Sequence, residues 1–365
     1  MQTSNTTDSF IYALALKSIK GLGNRSIARL HNHFKSFSHV FEANAAQLAS
    51  VDISSTIIRQ IHTFDFSSLE YIYDWLGKPY THVLAIDNPL YPPQLKEIYD
   101  PPAVIFAVGD ISLLTKPQIA IVGTRNPSPQ GLHNTAMFSQ QICEHGLAVT
   151  SGLAAGVDGE AHRAAISCKG HTIAVAGTGL NRVYPAKHRE LAHQIARKGL
   201  IISENFPDDP IHHGSFPQRN RIIAGLSLAV LVVEAAAKSG SLITAQSAID
   251  EGREVFALPG SIHSPLSKGC HKLIKQGAKL VESIDDILEG LTIVAKRQID
   301  NNKQSIALEP TMQALLDTID YEVTPLDTIV SRNQSSVDQV VNHLLQLELD
   351  GYIINSSGGY IRQSS

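Results

Sequence analysis

Cysteine is scarce in this chain, with three residues in 365: Cys143, Cys168 and Cys270. They are far apart in sequence and none forms a C-x-x-C pair, which argues against a disulfide framework or a thiolate metal cluster. An excess of positive charge is missing too. The formal net charge is −4, so there is no global footprint for a polyanion and any such site must be local. No apolar run is long enough to span a bilayer, and the opening "MQTSNTTDSF" has no basic segment followed by an apolar one. A soluble, cytoplasmic protein without a membrane partner is the expectation. The common nucleotide fingerprints are also absent. "GTRNPSPQG" (123–131) is neither G-x-G-x-x-G nor G-x-x-x-x-G-K-[ST], and "GTGLNR" (177–182) has Arg182 where a third glycine belongs.

What the chain does have is core-forming material. Hydrophobic residues make up 43% and charged residues 18%, and the length suits two or three domains. The region 1–100 reads as helical. Residues 101–292 alternate short β-branched runs with helix-length segments. The polar tract "AKRQIDNNKQS" (295–305) marks a linker over 293–307, and residues 308–365 form a last small domain.

The middle region sets the fold class. Strand-like runs stand at 102–109, 118–123, 147–152, 171–177, 199–204, 228–235 and 254–260, with helix-length segments at 130–145, 158–168, 187–198 and 241–251. Near-continuous apolar strands alternating with helices predict an α/β, Rossmann-like, doubly wound, mostly parallel sheet. In such a sheet ligands bind beyond the C-terminal ends of the strands, and here those ends carry small and polar residues. They include Gly123-Thr124-Arg125 with Ser128, Gly152, and Lys238-Ser239-Gly240-Ser241. Glycine allows close approach, and each following helix offers free N–H groups to an anion. Arg125 reads either as a phosphate clamp or as a structural partner of a carboxylate. Asp158 reads as a helix cap, and His162 and Arg163 as helix-surface residues.

The stretch "FPQRNR" (216–221) precedes the strand at 228–235, so its helix starts near the ligand-bearing rim. Phe216 offers a ring for a base to stack on, or a hydrophobic staple. Arg219 and Arg221, around Asn220, pair either with phosphates or with carboxylates such as Glu204 or Glu234. At the N-terminus, Gly21-Leu22-Gly23 joins two helical stretches in a pattern like a helix–hairpin–helix, flanked by Lys20 and Arg25. The C-terminal region has winged-helix order, but its third helix carries no Lys or Arg, which weighs against duplex reading and gives a protein-docking or accessory role at least equal standing.

Taken in order, Gly123 to Gly131, Ser151 to Asp158, Phe216 to Gly225, "SGSLITAQSAIDEGREVFALPGSI" and "GCHKLIKQGAKLV" resemble the DprA/Smf family of DNA-processing proteins. The resemblance covers the whole central domain, with weaker matches at both ends. It implies a non-catalytic, single-stranded-DNA-binding recombination mediator that protects incoming strands in natural transformation and loads a RecA-type recombinase. It further implies Arg125, Arg219 and Arg221 near phosphates, Phe216 near bases, Arg253 on the same basic rim, and His213 where some relatives carry lysine. A homodimer is implied as well, with "GCHKLIKQGAKL" (269–280) as its candidate interface through His271, Leu273, Ile274 and Leu280; the leucines and Ile274 equally suit ordinary core. No cofactor, metal or catalytic set is expected. The alternative is a nucleotide-processing, phosphoribohydrolase-like enzyme on a related fold, although "SGSLITA" offers no glutamate placed to attack a ribose. A third reading is a scaffold acting through the end domains.

Overall fold

In the computed structural model the described residues are 9–211, 214–291, 310–321, 323–333, 336–349, 352–356 and 358–362. They fall into two compact units, 1–291 and 292–365.

The first unit is built on a nine-stranded sheet in the order β1-β2-β6-β5-β4-β3-β7-β8-β9. Its strands are β1 Thr81–Ala85, β2 Val104–Gly109, β3 Gln118–Val122, β4 Ala148–Ser151, β5 Thr172–Ala176, β6 Leu200–Ser203, β7 Ala229–Val232, β8 Glu254–Ala257 and β9 Lys279–Leu280. The strands from β6 to β9 pair in parallel, and β2 runs antiparallel to both β1 and β6. Chain length explains the reversal. Only residues 110–117 link β2 to β3, whereas a parallel return takes a crossover of roughly a dozen residues or more.

Helices cover both faces. They are α1 Ser9–Ser18, α2 Asn24–Phe34, α3 Phe37–Glu42, α4 Ala45–Ser50, α5 Ser55–His62, α6 Glu70–Leu76, α7 Pro93–Lys96, α8 Pro129–Glu144, α9 Val157–Ser167, α10 Arg189–Lys198, α11 Ser215–Leu226, α12 Ser241–Asp250, α13 Lys268–Lys275 and α14 over 284–291. Alternate strand residues point to opposite layers. Ala120, Val122, Val230 and Val232 pack with Ile222, Ile223 and Ala245 of α11 and α12. Ile119, Ile121, Ala229 and Leu231 pack with Phe138, Ala161 and Ala165 of α8 and α9. Every residue of β3 to β7 is buried, which is why those runs read as continuous apolar stretches.

The N-terminal helices share a core with the first strands. Leu14, Leu30, Ile72 and Trp75 pack with Val104 and Phe106 of β2. The division expected at residue 100 therefore does not separate two units, because β1 already belongs to the sheet. In the hairpin ahead of α2, Lys20, Gly21 and Gly23 are exposed and Leu22 is buried, while Asn24, the first residue of α2, donates to Glu204 Oε1 (2.6 Å) and accepts from the Ala103 N–H (3.2 Å). Arg25 lies over the Tyr99 ring at 4.2 Å.

The second unit contains α15 Pro310–Leu316, α16 Leu326–Arg332, α17 Val337–Leu349 and the hairpin β10 Ile353–Ser356 with β11 Gly359–Arg362. Three helices and a β-ribbon around Leu315, Ile329, Val340, Leu344 and Ile353 make a winged helix. The linker expected at 293–307 lies outside the described residues.

Candidate nucleic-acid interface

The strand order defines where a ligand fits. From β3 the chain proceeds to β4, β5 and β6 on one side, then returns to place β7 on the other. The crevice between the β3 and β7 ends is the topological switch point, the usual ligand site of this architecture. A cleft of about 230 Å³ opens there. Gly123 and Arg125 follow β3, Ser239, Gly240 and Ser241 follow β7, and Phe216 and Arg219 come from α11.

The helices that follow β3 and β7, α8 and α12, begin at this rim, and their N-termini differ. Ser128 caps α8 by accepting from the Gly131 N–H at 3.0 Å. Glu234 then closes the same end: its carboxylate accepts from the Ser128 N–H (2.9 Å) and from the Ser128 hydroxyl (2.5 Å). A carboxylate thus already occupies the anion position of α8, and a Cβ on Gly131 would collide with it. Ser128 is accordingly a structural cap, not a free phosphate donor. At α12 the N-cap residue Gly240 has no side chain to offer, and the first-turn N–H groups are engaged locally: Ser241 N–H donates to Ser239 Oγ at 3.3 Å, Leu242 N–H to Ser239 O at 3.2 Å and Ile243 N–H to Gly240 O at 3.1 Å. Ser239 and Ser241 hydroxyls bond each other at 2.6 Å, and Lys238 is exposed beside them.

Arg125 is exposed, forms no ion pair among the described residues, and holds its guanidinium 5.1 Å above the Phe216 ring. Phe216 is half-buried and also meets Tyr184, with ring centroids 5.8 Å apart. A second cavity of about 60 Å³ adjoins the ring, lined by Gly152, Gly177, Thr178 and Tyr184. Tyr184 is a site residue that the sequence reading missed; the available signal was an aromatic residue in the loop after β5.

Arg219 is a different kind of group. It is buried, donates to the carbonyls of Gly152 and Val175 (2.6 Å to the latter), and bonds Asn220 Oδ1 at 3.1 Å. Asp158 lies on the other side of Gly152, accepting from the N–H groups of Gly152 (3.1 Å) and Ala154 (3.3 Å). Burial pushes the Asp158 carboxyl up and the Arg219 guanidinium down, and in each case the opposite charge of the other is the main opposing influence. Asp158 therefore ties the glycine loop 152–154 and neutralises Arg219. That replaces the expected helix cap, since the N-cap of α9 is Gly156. Gly123 and Gly156 exist for close approach: a Cβ on Gly123 would strike Val157, and Gly156 at φ +81° abuts the Thr124 carbonyl. Thr124 bonds through its backbone, its N–H to Glu234 O at 2.7 Å.

The other residues expected on the rim separate. Arg221 pairs with Glu204 (2.5 Å) and Asp100 (3.2 Å), which is the carboxylate alternative of the sequence reading; it joins the bracket formed by Asn24. Arg253 precedes β8, so it stands at the N-terminal edge of the sheet, opposite the cleft, and donates to Gln94 O at 3.1 Å. His213 lies outside the described residues. His162 is wholly buried rather than on the helix surface. Its Nδ1 meets Thr172 Oγ1 at 2.7 Å, its Nε2 has no hydrogen-bond partner, and burial pushes its pKa down to about 3. Of the residues proposed for a dimer contact, Leu273 and Ile274 pack into the sheet-domain core, Leu280 is 46% exposed on the edge strand β9, and His271 bonds Gly260 O at 3.0 Å. Among the described residues no cluster of three His, Cys, Asp or Glu forms a metal site, and no helix is long and apolar enough to cross a membrane.

Comparison with known proteins agrees with this architecture. The profile of the family "DNA recombination-mediator protein A" matches residues 82–292, and that of the DprA winged helix domain matches 301–359. Protein Smf of Escherichia coli K12 is 40% identical over 358 residues, covering 96% of this chain and 94% of the relative. DNA processing protein DprA of Bacillus subtilis is 47% identical over 211 residues, 58% of this chain and 71% of that protein. The X-ray structure of DNA processing protein A from Streptococcus pneumoniae aligns with a TM-score of 0.68 at 38% identity, over 76% of this chain and 97% of that one. A structure of the Helicobacter pylori protein, described by its single-stranded DNA binding mode, aligns with a TM-score of 0.53 at 31% identity, over 59% and 97%. The chain belongs to the DprA/Smf family of DNA recombination-mediator proteins.

Proposed function

We propose that this protein binds single-stranded DNA in the cleft between β3 and β7, without turnover, and delivers the strand to a RecA-type recombinase. The observation that carries the reading is the Arg125–Phe216 pair at the mouth of the cleft: an exposed guanidinium 5.1 Å above an aromatic ring. Arg125 supplies a phosphate contact, and exposed Lys238, beside the Ser239 and Ser241 hydroxyls at the start of α12, supplies a second. Phe216 and Tyr184 supply faces for unstacked bases, which every base sequence can use. A duplex keeps its bases stacked inside and cannot use those faces. Arg219 acts as a positioning residue beneath the cleft, holding the glycine loop rather than a phosphate. Binding of a single strand by the Helicobacter pylori relative supports the same reading here. A homodimer through the β9 edge at Leu280 and His271 belongs to the proposal, as does work in the cytoplasm.

The test is fluorescence anisotropy of the full-length protein with labelled single strands and matched duplex across a salt series. Tight, steeply salt-dependent binding that prefers the single strand supports the proposal. Removing Arg125 should lower the slope by about 0.7, the increment for one phosphate on a single strand. Equal affinity for both forms, or an unchanged slope in Arg125→Ala, would remove the cleft as the binding site.

A further inference from the structure

In a winged helix the third helix is the element that enters a DNA groove, so its exposed face states what the domain recognises. Here that helix is α17, and it carries two apolar stripes. Val340, Leu344 and Leu347 are buried in the domain core. Val337, Val341 and Leu345, spaced i, i+4, i+8 along a second face, are 53%, 42% and 56% exposed. A helix needs one apolar face to fold against its own domain; a second, in register over two turns, has no role in that core.

Charge identifies what covers it. Between Pro310 and Arg362 the chain has seven Asp or Glu, two Arg and no Lys. Both arginines are engaged, Arg332 with Asp320 at 2.9 Å and Arg362 with Asp317 at 3.1 Å. No unpaired Lys or Arg is therefore available in this stretch for a phosphate backbone, and the net field repels one. Glu348 stands one turn beyond Leu345, so the exposed stripe ends in a negative charge.

We propose that the α17 face of the winged helix is a docking site for a protein segment: an amphipathic helix with an apolar stripe flanked by Lys and Arg. The apolar side chains of such a helix pack along Val337, Val341 and Leu345, and its basic flanks meet the acidic surface. Helix-in-groove recognition reads the same i, i+4 anchors on both partners. The domain thereby becomes a handle for a protein while the sheet domain holds DNA, and the proposal does not depend on the cleft being the DNA site.

The probe is a fluorescently labelled 18-residue Leu/Lys amphipathic peptide, titrated with the full chain at several salt concentrations. A Leu/Glu peptide of the same pattern and a labelled duplex serve alongside it. The expected result is saturable binding of the Leu/Lys peptide, at least tenfold tighter than the Leu/Glu peptide. The doubly substituted Val341→Ser, Leu345→Ser chain, which keeps its charge and changes exposed positions only, should bind tenfold or more weakly. Far-ultraviolet circular dichroism of that variant separates lost docking from lost folding. A single exchange, Leu345→Gln, gives the same reading with less disturbance. Binding that falls with salt but is unchanged by both variants is plain charge attraction and overturns the proposal. Duplex binding that is lost in the same variants overturns it in favour of nucleic acid.

Discussion

Replacing Arg219 with alanine separates a buried structural arginine from a phosphate contact. Its guanidinium bonds the carbonyls of Gly152 and Val175, and it is the main opposite charge acting on buried Asp158. Deleting it leaves two buried carbonyls without their donor and the Asp158 charge without its main opposite charge, which together cost about 3–5 kcal/mol. For a unit of this size, each kcal/mol lowers Tm by about 2–4 °C, so the expected fall is roughly 6–20 °C. The deficit should also depend on pH. Burial raises the folded-state pKa of Asp158, so its ionised form costs stability above the unfolded carboxylate pKa, and protonation relieves that cost as pH falls. Without Arg219 the shift grows, and the gap between variant and wild type should narrow from pH 7 towards pH 4. Thermal and urea unfolding measure both effects. The double variant with Asp158→Asn should recover part of the loss, because the orphaned charge is gone. A Tm within about 2 °C of wild type, together with a reduced salt slope for DNA, would refute this account and make Arg219 a direct phosphate ligand.

Other outcomes follow from the same geometry. Phe216→Ala should weaken single-strand affinity by about 1–3 kcal/mol, with little change of salt slope in anisotropy titrations, because a stacking face is lost and no charge. Arg253→Ala should leave both affinity and slope unchanged, since the residue sits at the opposite edge of the sheet. His162 is held neutral, its folded pKa depressed to about 3, so the folded state binds fewer protons than the unfolded one between that value and about 6.5. Its contribution is fully present above pH 6.5 and is lost on acidification at about 1.4 kcal/mol per pH unit. Urea unfolding at pH 6.5 and 5 should show wild type losing about 2 kcal/mol more than His162→Asn over that interval.

The parallel core of the sheet was legible because strands buried on both faces have nowhere to hide polar residues, as in "LAVLVVEA" around β7. The direction of β2 was not, because its composition matches that of the parallel strands and only the short link to β3 reveals the reversal. The cleft was legible in part. Gly123, Arg125, Phe216 and the 238–241 turn mark it from both sides of the switch point. The two arginines of "FPQRNR" could not be sorted from sequence, because what decides between them is distant. Asp158 and the Gly152 carbonyl commit Arg219, while Glu204 and Asp100 commit Arg221. Glu234 is a similar case, reaching from the end of β7 to close α8, so that Ser128 serves the fold. Arg253 was readable after all: a residue that opens a parallel strand belongs to the edge away from the ligand.

The most direct test of the cleft is to put a reporter where Phe216 stands. The single native tryptophan, Trp75, is buried against Phe106 and gives a constant background. Phe216→Trp would be titrated with oligo(dT) and with matched duplex while its emission is followed. A base stacking on the new indole should quench it in step with anisotropy for the single strand, and the duplex should leave it unchanged. Full binding of oligo(dT) by anisotropy with no change in the emission of the introduced indole is the contradictory result, and it would mean that the strand lies somewhere else on the protein.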